Sequence, residues 1–157
     1  MRSTFLGVTF LLVTFLLATT TASTGEIRPA EQFVRTLKNA KEWELFSLDP
    51  SVKTDKDGFH GYKVLGKTTV KDPETLKGLF AAFKQGTEKG DAGDFKPRHG
   101  IRFTIGATTM DLLVCSPAKV YRKDTFDAEF RISKSPQAAF DKVLKAAGVE
   151  LAKPVEK

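Results

Sequence analysis

The run HGIRFTIGATTMDLLVC, His99–Cys115, decides the fold. Ile101, Phe103 and Ile105 alternate with Arg102 and Thr104. After Gly106-Ala107 turns the chain, Met110, Leu112 and Val114 alternate with Asp111, Leu113 and Cys115. A period of two marks strands with opposite faces, and the short break between them marks a hairpin. Downstream, Ser116-Pro117-Ala118 interrupts the pattern and KVYR, Lys119–Arg122, begins a shorter strand. Phe126, Ala128, Phe130 and Ile132 then alternate with Asp127, Glu129 and Arg131. Four consecutive strands without an intervening helix predict an antiparallel sheet with one face buried.

Working outward, Ser135 caps a last helix with Pro136 in its first turn, Phe140, Val143, Leu144 and Ala147 on one face, and Gly148 as its stop. Upstream, Asp72 and Pro73 open a helix running to about Lys89, with Leu76, Leu79, Phe80 and Phe83 at helical spacing. Before it, His60–Val70 reads as a strand bent at Gly66. EWELFSL, Glu42–Leu48, reads as a strand covered on both sides, with Trp43 and Leu45 on one face and Phe46 and Leu48 on the other. A short amphipathic helix from Ala30 to about Lys41 precedes them. The order helix, two strands, helix, four strands, helix predicts a single α+β domain: a twisted antiparallel sheet of five to six strands with helices packed on one face. A TBP-like or cystatin-like arrangement has this character, an analogy of architecture alone.

Met1–Ala22 carries Arg2, an apolar run from Phe5 to Ala18 and then small residues, the pattern of a secretory signal peptide. The run is shorter than the roughly 20 residues a spanning helix needs. The expectation is a secreted or periplasmic protein with Ser23–Lys157 as its domain, a loose tail from about Val149, and no membrane span after cleavage. The net charge of the 157-residue chain is +6, its lysines interleaved with acids as in KGDAGDFKPRHG, Lys89–Gly100. That argues against a nucleic-acid partner. One cysteine rules out an internal disulfide, so the core alone must hold the fold.

The chemistry-bearing residues are few. The two histidines each head a similar run, HGYKV-LGKTTV from His60 and HGIRFTIGATTM from His99, with convergence of two strands on similar letters preferred over duplication. Asp55, Asp57 and Gly58 mimic part of a calcium-binding loop, but Lys53 and Val64 fall where acids are needed. Cys115 as a nucleophile with His99 and Asp111 fails on distance, because Asp111 and Cys115 are roughly 13 Å apart along one strand face. It reads as a buried structural cysteine. His60 and His99 with Asp111 or Asp94 lack metal-site spacing. No catalytic residue, metal or cofactor is assigned. Arg98, His99 and His60 are the candidate ligand-binding residues, a cation and imidazoles beside glycines where an anion could approach. The simpler alternative pairs Arg98 with a loop acid, Asp91 or Asp94, and has His99 cap the sheet edge.

FKPRHGIRFTIGATTMDLLVC, Phe95–Cys115, preceded by ELFSLDP and GYKVLGKTTVKDPETLKGLFAAFKQG, resembles a group of small secreted bacterial proteins of uncharacterised function. Their Phe-x-Pro-Arg-His-Gly-Ile-Arg motif is matched by Phe95 and Pro97–Arg102. Asp94 and Ala118 stand where those relatives often carry cysteines. The resemblance implies an exported α+β domain and no particular activity. The functional expectation is a non-catalytic binding or interaction module for an unknown protein or a small anionic ligand. The alternative is a small hydrolase or metal-dependent enzyme built on His60, His99 and a nearby acid.

Overall fold

The computed structural model describes residues 29–54, 58–89, 96–115, 117–133 and 135–153. The proposed leader, Asp55, Asp57, Asp91 and Asp94 lie outside them. Three helices and six strands follow in the expected order: α1 (Pro29–Leu37), β1 (Trp43–Lys53), β2 (Tyr62–Val70), α2 (Pro73–Lys89), β3 (His99–Ile105), β4 (Thr108–Val114), β5 (Ala118–Arg122), β6 (Thr125–Phe130) and α3 (Ser135–Ala146). The strands form one sheet, β2-β1-β3-β4-β5-β6, with every neighbouring pair antiparallel. Among the described residues no helix is long and apolar enough to cross a membrane.

Strand alternation divides the apolar residues between two cores. On one face Trp43, Leu45, Ile101, Phe103, Met110, Leu112 and Val120 meet Phe33 and Leu37 of α1, Leu79 and Phe83 of α2, and Phe140 and Leu144 of α3. On the other face Phe46, Leu48, Leu113 and Cys115 form a smaller cluster closed by Phe59 and Tyr62. The two-sided pattern of EWELFSL is thus used as read. The segment that supplies Phe59, however, is a turn folded over the sheet and not the start of β2. The Phe59 ring lies against Gly100, where a Cβ would come within 2.5 Å of it. Any larger residue at position 100 would lift the turn off the sheet.

Three expectations need correcting. β1 continues through Asp49-Pro50 to Lys53, beyond the Leu48 at which the strand was expected to end. Asp49 Oδ1 accepts hydrogen bonds from Ser51 N (2.9 Å) and Ser51 Oγ (2.6 Å), and the register shift there accommodates the proline. The tail expected to be loose from Val149 is docked as far as it is described. Ala152 is buried, its carbonyl accepts from Arg98 Nη2 at 2.6 Å, and Val149 fills the space that a side chain at Gly66 would occupy. The first histidine-led run does not begin its strand at His60 as expected, since β2 starts at Tyr62. His60-Gly61 forms a turn with φ of 49° and 82°, whereas His99-Gly100 lies within β3. Gly66 sits beside a bulge in β2, whereas Gly106, at φ 58°, makes the β3–β4 turn. Only the letters match.

Candidate functional site

The hairpin β3–β4 pairs Arg102 directly with Asp111 on the turn-covered face. Arg102 donates from Nε to Asp111 Oδ1 (2.8 Å) and from Nη2 to Oδ2 (2.7 Å), a two-pronged fit of guanidinium to carboxylate. His60 reaches the same carboxylate, Nε2 to Oδ2, at 2.8 Å. Its ring is stacked on Tyr121, centroids 3.8 Å apart and planes within 13°, and meets the edge of Phe59. Burial alone would raise the Asp111 carboxyl, but hydrogen bonds and charge from Arg102 and His60 outweigh it and hold the carboxyl below its ordinary value. The same pairing raises Arg102 above its own. Beside this group the β5–β6 turn places Lys123 and Asp124 at φ 49° and 62°, and with Arg102, Thr109 and Asp111 they line a cavity of about 420 Å³.

His99 points the other way. It lies in the third strand of six, so it does not cap a sheet edge, and it is 1 % exposed. Nε2 meets Asp141 Oδ1 of α3 at 2.8 Å, and the ring packs against the edge of Phe140. Its Nδ1 and the Oγ of Ser47, its cross-strand neighbour, are both buried without a partner among the described residues. Serine, imidazole and carboxylate thus occur together, with Ser47 and His99 buried and Asp141 partly exposed on α3. Arg98 donates from Nη2 to the Ala152 carbonyl, while its Nε is buried without a partner among the described residues. The sequence candidates therefore divide: His60 belongs to one face and His99 to the other, while Arg98, just before β3, reaches the chain that follows α3. A site built on both histidines is excluded.

Burial pushes the His99 imidazole below its ordinary value, against the pull of the Asp141 hydrogen bond. The unfolded chain, titrating near 6.5, then binds more protons than the folded one. Its contribution to stability is complete above about pH 6.5 and is lost as pH falls through the lowered folded value. Thermal melts should show a decline as pH falls below about 6.5 that is flattened in His99→Gln, which keeps a donor toward Asp141 but does not titrate. A variant with the wild-type slope would show that His99 is not the group responsible.

Cys115 is buried, 3.1 Å from the Pro117 carbonyl, with its thiol pushed up to about 12 chiefly by burial. A thiol so poorly ionised is no nucleophile at neutral pH.

A second feature was not legible in the sequence. Where α1 ends, β1 begins and α2 begins, an open groove of about 500 Å³ has Leu37, Trp43, Leu76 and Phe80 among its lining residues. Lys38, Lys41, Lys71 and Lys77 also line it. Lys71 is paired with Glu42 and Lys77 with Glu74, whereas Lys38 and Lys41 have no carboxylate partner among the described residues. Trp43 is 1 % exposed, and its indole Nε1 has no hydrogen-bond partner among the described residues. Buried N–H donors are nearly always satisfied, and Trp43 is the one residue with such an orphan atom among those lining this groove.

No family model matches the chain, and no curated protein or solved structure matches it.

Proposed function

We propose that this is an exported, non-catalytic binding domain that holds a small amphipathic carboxylate in the Trp43 groove. The observation that carries the reading is an apolar groove bordered by lysines and lined by Trp43, whose buried Nε1 has no partner among the described residues. Apolar walls suit a hydrocarbon or aromatic body. Lys38 and Lys41 favour an anion, and Nε1–H supplies a donor that a carboxylate oxygen accepts. The lining contains no cysteine, serine, histidine or acid, so it offers anchoring groups and no nucleophile or acid–base pair of the usual kinds. Export rests on the leader pattern of Met1–Ala22; the intact mass of secreted material should lack these residues, and a retained leader would argue for an anchor instead.

The chain contains one tryptophan, so its fluorescence reports the groove alone. Titration of the Ser23–Lys157 chain with decanoate should saturate with Kd on the order of 10–100 μM, about −6 kcal/mol for a ligand of about twelve non-hydrogen atoms. Decanol, lacking the charge, should bind about tenfold more weakly. The double change Lys38→Glu/Lys41→Glu should weaken decanoate by at least that factor and spare decanol. Equal affinity for decanoate and decanol in both proteins would remove the anion from the proposal. A fluorescence signal that never saturates would remove the site.

A further inference from the structure

We infer that His60, Asp111 and Asp124 form a divalent transition-metal site on the turn-covered face, separate from the Trp43 groove. One ligand atom from each lies within 4.8 Å of the other two. Imidazole nitrogen with two carboxylate oxygens is the donor set of Zn²⁺, Co²⁺ and Mn²⁺ sites. His60 and Asp111 already approach to 2.8 Å. Metal–ligand bonds of about 2.0–2.2 Å set ligand atoms at a tetrahedral centre roughly 3.3–3.5 Å apart, so the pair needs to open by little more than half an ångström.

Each ligand is held in place. Asp111 is buried in β4, with Arg102 Nε on its other oxygen at 2.8 Å. His60 is fixed between Tyr121 and Phe59, in a left-handed turn conformation that brings its ring over the sheet. Asp124 occupies a tight hairpin turn next to the open cavity, which leaves room for water or another ligand in the remaining coordination positions. Arg102 would then act as an outer partner that orients Asp111. Its Nη2, now on Oδ2, yields that oxygen to the ion. The positive charges of Arg102 and Lys123 oppose a dication, which places the affinity in the micromolar range and not the nanomolar range of purely anionic sites. His99, with its Nε2 on Asp141 across the sheet, takes no part.

The test uses the Ser23–Lys157 chain without a histidine tag, titrated with CoCl₂ and ZnCl₂ at pH 7.5. Calorimetry should give one ion per chain with Kd of about 1–100 μM, and Co²⁺ should show visible d–d absorption that Zn²⁺ abolishes. His60→Ala should weaken binding at least tenfold. Asp124→Asn should weaken it about fivefold or more while leaving the metal-free melting temperature unchanged, because Asn suits a left-handed turn as well as Asp does. This second variant keeps the test valid should His60→Ala disturb the turn over the sheet. No saturable binding up to 1 mM metal, or unchanged affinity in Asp124→Asn, would overturn the assignment.

Discussion

Phe33→Ala should destabilise the domain by about 3–4 kcal/mol in urea unfolding, the usual cost of emptying a buried aromatic site. Phe33 is the ring on which α1 is held: it stands 5.6–6.0 Å from Phe83 of α2, Phe103 of β3 and Phe130 of β6. A helix of nine residues is marginal in water without tertiary contacts, so the cavity left by this ring also loosens the element that carries it. Because Leu37 at its end lines the Trp43 groove, decanoate affinity should fall with stability. A loss below about 1 kcal/mol would mean that α1 is not anchored through Phe33.

Asp111→Ala should cost about 2–4 kcal/mol. The carboxylate is buried and holds two partners, so its removal strands the His60 donor and leaves Arg102 without its counter-charge. Arg102 is 39 % exposed and can turn toward solvent, which keeps the cost below that of a wholly interior pair. The pH dependence follows from the lowered carboxyl. Its stabilising contribution is present above the unfolded value near 3.8 and is lost as pH falls through the folded one, so acid unfolding of the wild type should include a component absent from the variant. A cycle with Arg102→Met should show coupling of about 1–3 kcal/mol. Independent effects would contradict the shared network.

The element order was legible because hydrophobic period alone separates strand from helix here, and because Asp72 and Pro73 announce α2 so plainly. Asp72 Oδ2 accepts from Thr75 N at 2.8 Å, as an N-cap should. The Arg102–Asp111 pair was also within reach: a two-residue turn at Gly106-Ala107 sets Ile105 against Thr108, and counting back sets Arg102 against Asp111. The placement of His60 was not legible. Phe59 and His60 carry the β-favouring letters of a strand start, and nothing local says that the chain folds them back over Gly100 and Tyr121. The same limit hid Asp124, which joins His60 only through that fold-back, and the groove, whose Trp43 meets Leu76 and Phe80 from a helix more than thirty residues away. The extension of β1 past Leu48 was not legible because proline usually ends a strand; a bulge fixed by Asp49 accommodates Pro50.

The most direct measurement of the central claim is the indole N–H resonance of Trp43, the single such signal the chain can give, followed by NMR while decanoate is added. A carboxylate that completes the orphan donor should shift this resonance downfield along a saturable curve, slow its exchange with water, and reproduce the Kd found by fluorescence. In Lys38→Glu/Lys41→Glu the same shift should require at least about tenfold more decanoate, the equivalent of ~1.4 kcal/mol. An indole resonance that stays in place while decanoate binds would show that Trp43 Nε1 is not the group that receives the ligand, and the account of the groove would be wrong.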